Sequence, residues 1–267
     1  MKSHHTAREQ DSALVRAVVA LVFVCFVIAC TAALPARASD KKEKEKEKEK
    51  AAPLQAVDSG SFGIFIKGQR LATETFTIHQ QNATSTIQSE LKQENGPATQ
   101  KSDLVITSNG QILRYEWSQG TDGSLTVLPK DEFLIEKITS ASFTKPAEQS
   151  FLMPNTSVIL DNNFFVHREV LAWRYLASDC KQDGGAFKCE RVAGDFGVLV
   201  PQDRTSLHIR MELVGAEKVN IRGSERELLR LNLKGDNVDW ALWVDDHDQF
   251  KLMKVAIPAD NTEVVRD

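Results

Sequence analysis

The chain has 267 residues, of which 42% are hydrophobic and 26% are charged, and it contains 14 glycines and 8 prolines. These proportions are ordinary for a globular protein and exclude collagen-like, wholly disordered and polytopic membrane proteins. The net charge of the whole chain is −4, but residues 51–267 carry 23 basic and 30 acidic side chains, a net charge of −7. This excess of negative charge disfavours nucleic-acid binding, which needs basic surfaces.

An apolar run at residues 17–34 follows a segment with three basic and two acidic side chains. A positive flank followed by an apolar run is typical of an export signal, and the Ala-Arg-Ala sequence that ends at Ala38 matches the small-x-small pattern for cleavage. Residues 1–38 are therefore predicted to be a signal peptide that is cleaved after Ala38. The protein is expected in the periplasm or on the outer face of a bacterial membrane.

Two alternatives to simple cleavage stay open. Residues 27–30, Val-Ile-Ala-Cys, match a lipoprotein signal in which Cys30 becomes the lipidated first residue. The apolar run is also long enough to remain as an uncleaved membrane anchor. Both alternatives tether the protein to a membrane through its N-terminus and still place the rest of the chain outside the cytoplasm. The intact mass of the mature protein distinguishes all three.

The next segment, residues 39–57, is predicted to be a disordered linker. Glutamate and lysine alternate strictly through residues 43–50, where there is no apolar side chain to bury. Such a segment is solvated and extended rather than folded. Residues 58–267 remain, and their number suits a single β-rich domain.

Cys180 and Cys189 are the only cysteines beyond the signal. They flank Gly184 and Gly185, and in an oxidising compartment this spacing predicts a disulfide that closes a hairpin. A redox CxxC motif or a zinc site would need closer spacing or further ligands.

Apolar and polar residues alternate through much of the domain, which predicts strands with one buried face. Asn109-Gly110 lies between two such segments and is a typical hairpin turn. Counting the segments between turn signals gives about ten to twelve antiparallel strands. The clearest alternating rows are Leu207, Ile209, Met211 and Leu213; Leu229, Leu231 and Leu233; and Leu113, Tyr115 and Trp117.

One segment, residues 162–178, lacks the alternation and contains no glycine or proline. It is predicted to be a helix with Asp161 or Asn162 as its N-cap. Its apolar residues cover most of its circumference, so the helix must be largely covered by other elements. We therefore expect a mainly β fold, in which a strongly curved antiparallel sheet, a half-barrel or open barrel, holds one covering helix.

Two hairpins carry a resemblance to known proteins. The opening segment GIFIKGQRLATE at residues 63–74 and the closing segments LWVDD at 242–246 and LMKV at 252–255 resemble those of uncharacterised bacterial exported envelope proteins. The half-barrel of those proteins is similar to that of lipoprotein-localisation carriers and glycolipid-binding proteins. The resemblance covers nearly all of residues 58–267 and implies a fold alone, because no catalytic motif and no functional residue transfers with it.

The sequence contains no motif for catalysis. None of the six histidines belongs to an HExxH or similar metal-binding pattern, and there is no nucleophile elbow, Walker motif or dinucleotide fingerprint. The acidic residues at 245–248 lie where a hairpin tip is expected and lack the spacing of an EF-hand loop, so a turn is favoured over a calcium site. No enzyme activity, cofactor or metal is therefore expected.

The leading hypothesis is a non-catalytic cell-envelope protein that binds an apolar ligand, a lipid or acyl chain, between the curved sheet and the helix. The first alternative is an envelope assembly or protein-interaction module whose core is filled by its own side chains. The second is a hydrolase with an unrecognised site. For the leading hypothesis, the residues expected to line the cavity are Phe164, Phe165, Leu171, Leu207, Ile209, Met211 and Leu213.

Overall fold

The computed structural model describes residues 52–96, 99–141, 145–154, 156–184, 186–190 and 193–267. Among these residues there are seventeen β-strands and one α-helix, which confirms a mainly β chain. The predicted signal peptide, with Cys30 and Ala38, and the predicted linker up to residue 51 lie outside the described residues. None of the described residues forms a helix long and apolar enough to span a membrane.

The first eight strands follow one another along the chain, and the helix comes after the ninth. The strands are β1 (Gln55–Ile66), β2 (Gln69–Gln81), β3 (Thr84–Gln93), β4 (Gln100–Thr107), β5 (Ile112–Gln119), β6 (Gly123–Lys130), β7 (Phe133–Ser140), β8 (Ala147–Leu152), β9 (Val158–Ile159), β10 (Cys180–Asp183), β11 (Ala186–Cys189), β12 (Gly194–Val200), β13 (Thr205–Ile221), β14 (Ser224–Gly235), β15 (Val238–Asp245), β16 (Lys251–Ile257) and β17 (Thr262–Arg266). The helix is α1 (Val166–Asp179).

Fifteen of the described strands form one sheet, in the order β8-β7-β6-β5-β4-β3-β2-β1-β17-β16-β15-β14-β13-β12-β9. The last strand, β17, lies beside the first, so the sheet consists of two runs of hairpins that meet at β1 and β17, and β9 is added at the end of the second run beside β12. Within the described residues the end strands β8 and β9 do not pair with each other, and the sheet is therefore open.

The described residues contain more strands than the ten to twelve predicted, and β9 pairs with β12 in parallel rather than antiparallel. Turns without glycine explain part of the difference. Asp131, between β6 and β7, and Asn82, between β2 and β3, have φ angles of 54° and 55°. Aspartate and asparagine adopt this left-handed backbone more readily than other non-glycine residues. The chain therefore reverses at these points without the glycine that marks the Asn109-Gly110 turn.

The hairpin predicted at Asn109-Gly110 is confirmed, because β4 and β5 pair antiparallel on either side of it and Gly110 has a φ of 75°. The row predicted at 113–117 is only partly correct. Tyr115 is fully buried, whereas Leu113 is 41% exposed. The register between β4 and β5 skips Leu113, and such a bulge moves the extra residue out of the row.

The rows of β13 and β14 pack into the main core. Ile209, Met211, Leu231 and Leu233 are fully buried, and Met211 pairs with Leu233 across the two strands. Leu207 and Leu213, at the two ends of the β13 row, are half-buried and pack against the same core. The hydrophobic effect thus holds this part of the sheet to the helix, whose residues belong to the same cluster.

The helix begins at Val166, four residues later than predicted, and its N-cap residue is Phe165 rather than Asp161 or Asn162. The Asp161 carboxylate instead accepts a hydrogen bond from the backbone N–H of Asn163 at 2.8 Å. The first turn of the helix is buried on all sides, although it carries three polar side chains. Its buried residues are Val166, His167, Arg168 and Glu169.

A short hairpin follows the helix directly. Strands β10 and β11 pair antiparallel, with Cys180 opposite Cys189, and these two cysteines form the predicted disulfide. Cys180 is buried against the main core. The disulfide therefore fixes the hairpin at the point where the helix ends.

Replacing both Cys180 and Cys189 with serine should lower the free energy of unfolding by about 2–3 kcal/mol, because the unfolded chain gains the entropy that the closed loop removes. The β-sheet content should not change. Urea unfolding monitored by circular dichroism measures the loss, and chemically reduced parent protein should match the double variant. Two free thiols in protein prepared from an oxidising compartment would contradict the prediction.

Candidate functional site

The N-terminus of α1 is capped by a residue from a distant strand. The Glu74 carboxylate of β2 accepts hydrogen bonds from the backbone N–H of Phe165 at 2.6 Å and of Val166 at 3.3 Å. Ser89 of β3 donates its hydroxyl hydrogen to the same carboxylate at 2.6 Å. A negative charge at this position also complements the helix dipole. Glu74 thus ties the start of the helix to the sheet.

Glu74 is completely buried, and burial raises its pKa from 4.5 to about 7, although its hydrogen bonds act in the opposite direction. Besides the Ser89 hydroxyl and the two helix N–H groups, the positive charge of Arg168 also lowers this pKa. The cap is therefore partly protonated near neutral pH. A protonated carboxyl keeps its carbonyl oxygen as an acceptor for the helix N–H groups.

Arg168 is the largest fully buried side chain among the described residues. Its guanidinium lies 4.7 Å from the ring centres of both Phe165 and Trp240. Its Nη1 donates to the carbonyl oxygens of Asp161 and Phe164. Burial lowers its pKa from 12.5 to about 10, so the group remains charged at neutral pH. Stacking and carbonyl contacts of this kind hold a buried guanidinium in one orientation.

His167 belongs to a second set of contacts, with Asp161 and Tyr115. The Tyr115 hydroxyl donates to the Asp161 carboxylate, and the backbone N–H of Asp161 donates to His167 Nδ1 at 3.3 Å. Burial and the neighbouring Arg168 lower the pKa of His167 to about 3, so the ring is neutral. Because Nδ1 is an acceptor, Nε2 carries the hydrogen. Nε2 is buried and has no hydrogen-bond partner in the described part of the chain.

The third polar residue of the first turn, Glu169, faces Arg266 of β17. The Arg266 guanidinium donates to the Asp58 carboxylate at 2.7 and 2.8 Å and to both Glu169 oxygens at 3.4 Å. All three side chains are buried. Burial raises the pKa of Glu169 well above its usual value, and its hydrogen bond with Asp58 raises it further. The Glu169 carboxyl is therefore harder to ionise than an exposed one, although Arg266 opposes this effect.

A cavity of about 450 Å³ lies between α1 and the strands β3, β4, β5 and β9. Its size is within the range of small-molecule sites. The helix contributes a stripe of residues at positions i, i+3, i+4 and i+7, namely His167, Val170, Leu171 and Arg174. The strands contribute mainly apolar side chains, including Leu104, Ile106, Ile112, Val158 and Ile159.

Arg174 is half-buried at the outer part of this stripe. Its Nη1 donates to the carbonyl oxygen of Gly110 at 3.1 Å, in the turn between β4 and β5. In the described chain no carboxylate lies within ion-pair distance of Arg174, and burial lowers its pKa. Gly110 leaves room for this arrangement, because a Cβ there would lie 3.1 Å from Arg174 Cδ.

A second cavity, of about 540 Å³, lies on the other side of the start of the helix. Phe165 lines it, together with Ile64 and Ile66 of β1 and polar residues such as Arg70 and Glu94. This cavity has a more polar wall than the first. It therefore suits an apolar ligand less well.

The seven residues predicted to line a cavity are thus distributed over three environments. Leu171 lines the cavity between the helix and β3–β5, and Phe165 lines the second cavity. Phe164, Ile209 and Met211 are fully buried in the main core. Leu207 and Leu213 are half-buried against it, and neither of the two cavities includes them.

The acidic cluster considered as a calcium site forms a turn, as the sequence favoured. Asp245 ends β15, and the turn occupies residues 246–250. Ligand atoms of Asp245, Asp246 and His247 lie within 4.8 Å of one another. However, the Asp245 carboxylate already bonds to Arg226 and to the backbone N–H of His247. The turn is thus held by an ion pair and by a backbone hydrogen bond.

Local sequence patterns do not identify the buried polar residues around the helix. Glu74 had a detectable signal, because it interrupts the buried row Ala72, Phe76 and Ile78 in β2. A lone acid in an apolar row needs partners in the core. Asp58 and Arg266 had no such signal, because they are 208 positions apart.

Comparison with known proteins adds nothing to this geometry: no family model, curated protein or solved structure matches the chain.

Proposed function

We propose that this chain is an exported, non-catalytic cell-envelope protein that binds an apolar ligand, a lipid or acyl chain, in the cavity between α1 and strands β3–β5. The observation that carries the proposal is the cavity of about 450 Å³ itself, with its apolar walls on both the helix and the strands. Burial of a ligand there is favourable by about 0.8 kcal/mol per CH₂ group removed from water. Part of this gain is offset by the loss of the ligand's freedom.

The proposal includes the location and form of the protein. An N-terminal export signal, cleaved after Ala38 or lipidated at Cys30, directs the chain to the periplasm or to the outer face of a membrane. The Lys/Glu-rich linker then separates the domain from any membrane tether. The sheet acts as a strongly curved half-barrel whose concave face holds the helix, in the manner of the lipoprotein-localisation carriers and glycolipid-binding proteins that the sequence resembles.

The two buried acids that contact the start of the helix, Glu74 and Asp161, support binding rather than catalysis. Glu74 and Asp161 have raised pKa values, about 7 and about 6, as catalytic acids often do. Yet Glu74 bonds to the helix N–H groups, and Asp161 bonds to Tyr115 and Asn163. Their hydrogen bonds thus hold the helix against the sheet, which keeps the cavity open.

Filling the cavity tests the proposal. Val170→Trp places a large side chain at a half-buried position of the cavity wall. We expect uptake of a fluorescent fatty-acid probe to weaken at least tenfold, while the free energy of unfolding changes by less than about 1 kcal/mol, because the new ring occupies open space rather than a packed core. Leu213→Trp is the matched control, since Leu213 is half-buried but outside this cavity, and its uptake should equal that of the parent.

Native mass spectrometry of protein isolated from its own envelope identifies the bound molecule. A copurified amphiphile that is lost in Val170→Trp but kept in Leu213→Trp supports the proposal. The interaction-module alternative would replace it if the parent protein carried no amphiphile and took up no probe.

A further inference from the structure

We infer that the ligand carries an anionic carboxylate head, which binds Arg174, and an acyl chain that extends along the helix toward His167. This inference rests on the proposed function and specifies the chemistry of its ligand. Arg174 is the one charged side chain among the described residues that line the cavity, since the wall contains no aspartate, glutamate or lysine and His167 is neutral.

The helix orders the polar and apolar parts of the site. His167 and Arg174 are seven positions apart, which places them on the same side of the helix and about 10 Å apart along its axis. Val170 and Leu171 lie between them and line the same cavity. His167, at one end of this stripe, is fully buried, whereas Arg174, at the other end, is half-buried. A ligand with its chain inward and its head outward matches this order.

The electrostatics of Arg174 favour an anionic head over a neutral one. Burial lowers the pKa of its guanidinium, and its only hydrogen bond in the described structure is to the neutral Gly110 carbonyl. A guanidinium has five N–H donors and binds a carboxylate through two of them at once. The turn beside it adds hydroxyl and amide groups from Thr107, Ser108 and Asn109, which also line the cavity.

Isothermal titration calorimetry with dodecanoate and with dodecanol, which share a chain and differ in charge, tests the inference. The parent should bind dodecanoate at least tenfold more tightly than dodecanol. Arg174→Gln should weaken dodecanoate binding about ten- to a hundredfold, the range for loss of a charge-assisted hydrogen bond. Its affinity for dodecanol should change by less than about twofold, because the apolar wall is intact.

Two further variants complete the design. Arg174→Lys keeps the charge but cannot form the bidentate hydrogen bonds of a guanidinium. Its affinity for dodecanoate should therefore lie between those of the parent and Arg174→Gln. Arg210→Gln removes an exposed arginine from β13 and should bind both ligands as the parent does. If Arg174→Gln unfolds, the comparison of the two ligands in the parent and in Arg174→Lys still tests the inference.

The outcomes separate the two proposals. Equal affinity of the parent for dodecanoate and dodecanol, unchanged in Arg174→Gln, would overturn the inference about the head group and leave apolar binding in place. Binding of neither ligand by the folded parent would overturn the proposed function itself. A loss of dodecanol binding in Arg174→Gln equal to that of dodecanoate would also overturn the inference, since the arginine would then only shape the cavity.

Discussion

Replacing Arg266 with leucine should lower the free energy of unfolding by about 3–5 kcal/mol, the usual result of removing one partner from a buried ion pair. Arg266 holds Asp58 in two hydrogen bonds of 2.7 and 2.8 Å and also contacts Glu169. Without the guanidinium, the buried Asp58 carboxylate loses these bonds, and among the described residues only the more distant Lys251, at 3.8 Å, remains as a cation. Chemical denaturation of the parent and the variant measures the difference.

A double variant shows whether the unpaired carboxylate causes this loss. Arg266→Leu combined with Asp58→Asn removes both charges, and the protein should be more stable than with Arg266→Leu alone. Arg266→Lys keeps one positive charge and should lie between the parent and Arg266→Leu. If the double variant loses the sum of the two single losses, the residues act independently and the ion-pair explanation is wrong.

Replacing Glu74 with leucine should lower the free energy of unfolding by about 2–6 kcal/mol, because it leaves the buried N–H groups of Phe165 and Val166 without acceptors at about 1–3 kcal/mol each. Glu74→Gln keeps a carbonyl oxygen at the same position and should lose much less. Hydrogen exchange of the two amides shows whether the first turn of the helix opens. Equal losses in the leucine and glutamine variants would contradict the capping role.

Stability should also depend on pH through Glu74, whose folded-state pKa is raised from 4.5 to about 7. Below pH 4.5 the carboxyl is protonated in both the folded and the unfolded state. Between pH 4.5 and 7 unfolding releases a proton, so this group makes the protein less stable as the pH rises, by up to about 3 kcal/mol. Above pH 7 its contribution is constant. Glu74→Gln should lose this dependence, so the difference in free energy of unfolding between the parent and the variant should change between pH 4.5 and 7. A difference that stays constant over this range would contradict the prediction.

Local patterns were sufficient to predict several parts of the fold. The alternation at Ile209 and Met211 predicts the buried face of β13, since neighbouring side chains of a strand point to opposite faces. The Asn109-Gly110 turn and the Cys180–Cys189 disulfide depend on residues that are close in sequence. Each of these features is determined within about fifteen residues, the scale on which sequence patterns act.

The start of the helix could not be predicted in the same way. Asp161 has the chemistry of an N-cap, but its carboxylate bonds to Tyr115 and Asn163, and the capping role belongs to Glu74, 91 positions from Phe165. The cavity shares this dependence on distant residues, because its wall combines the helix with strands from both parts of the sheet. The alternation in β13 identifies a buried face but does not distinguish a filled core from a cavity. For this reason Leu207, Ile209, Met211 and Leu213 were expected to line the ligand cavity.

The position of β17 beside β1 has a consequence for how the chain folds. Apart from β9 and β12, the neighbouring strands in each half of the sheet are consecutive along the chain, but the pairing of Phe62 with Arg266 closes a loop of nearly the whole domain. Closing so long a loop carries a large entropic cost before any contact forms. The two halves can therefore form early as separate meanders, whereas the pairing of β1 with β17 forms only after the last strand is present. A nascent chain that lacks Thr262–Arg266 exposes β1 as an unpaired edge, which makes it prone to pair with other chains.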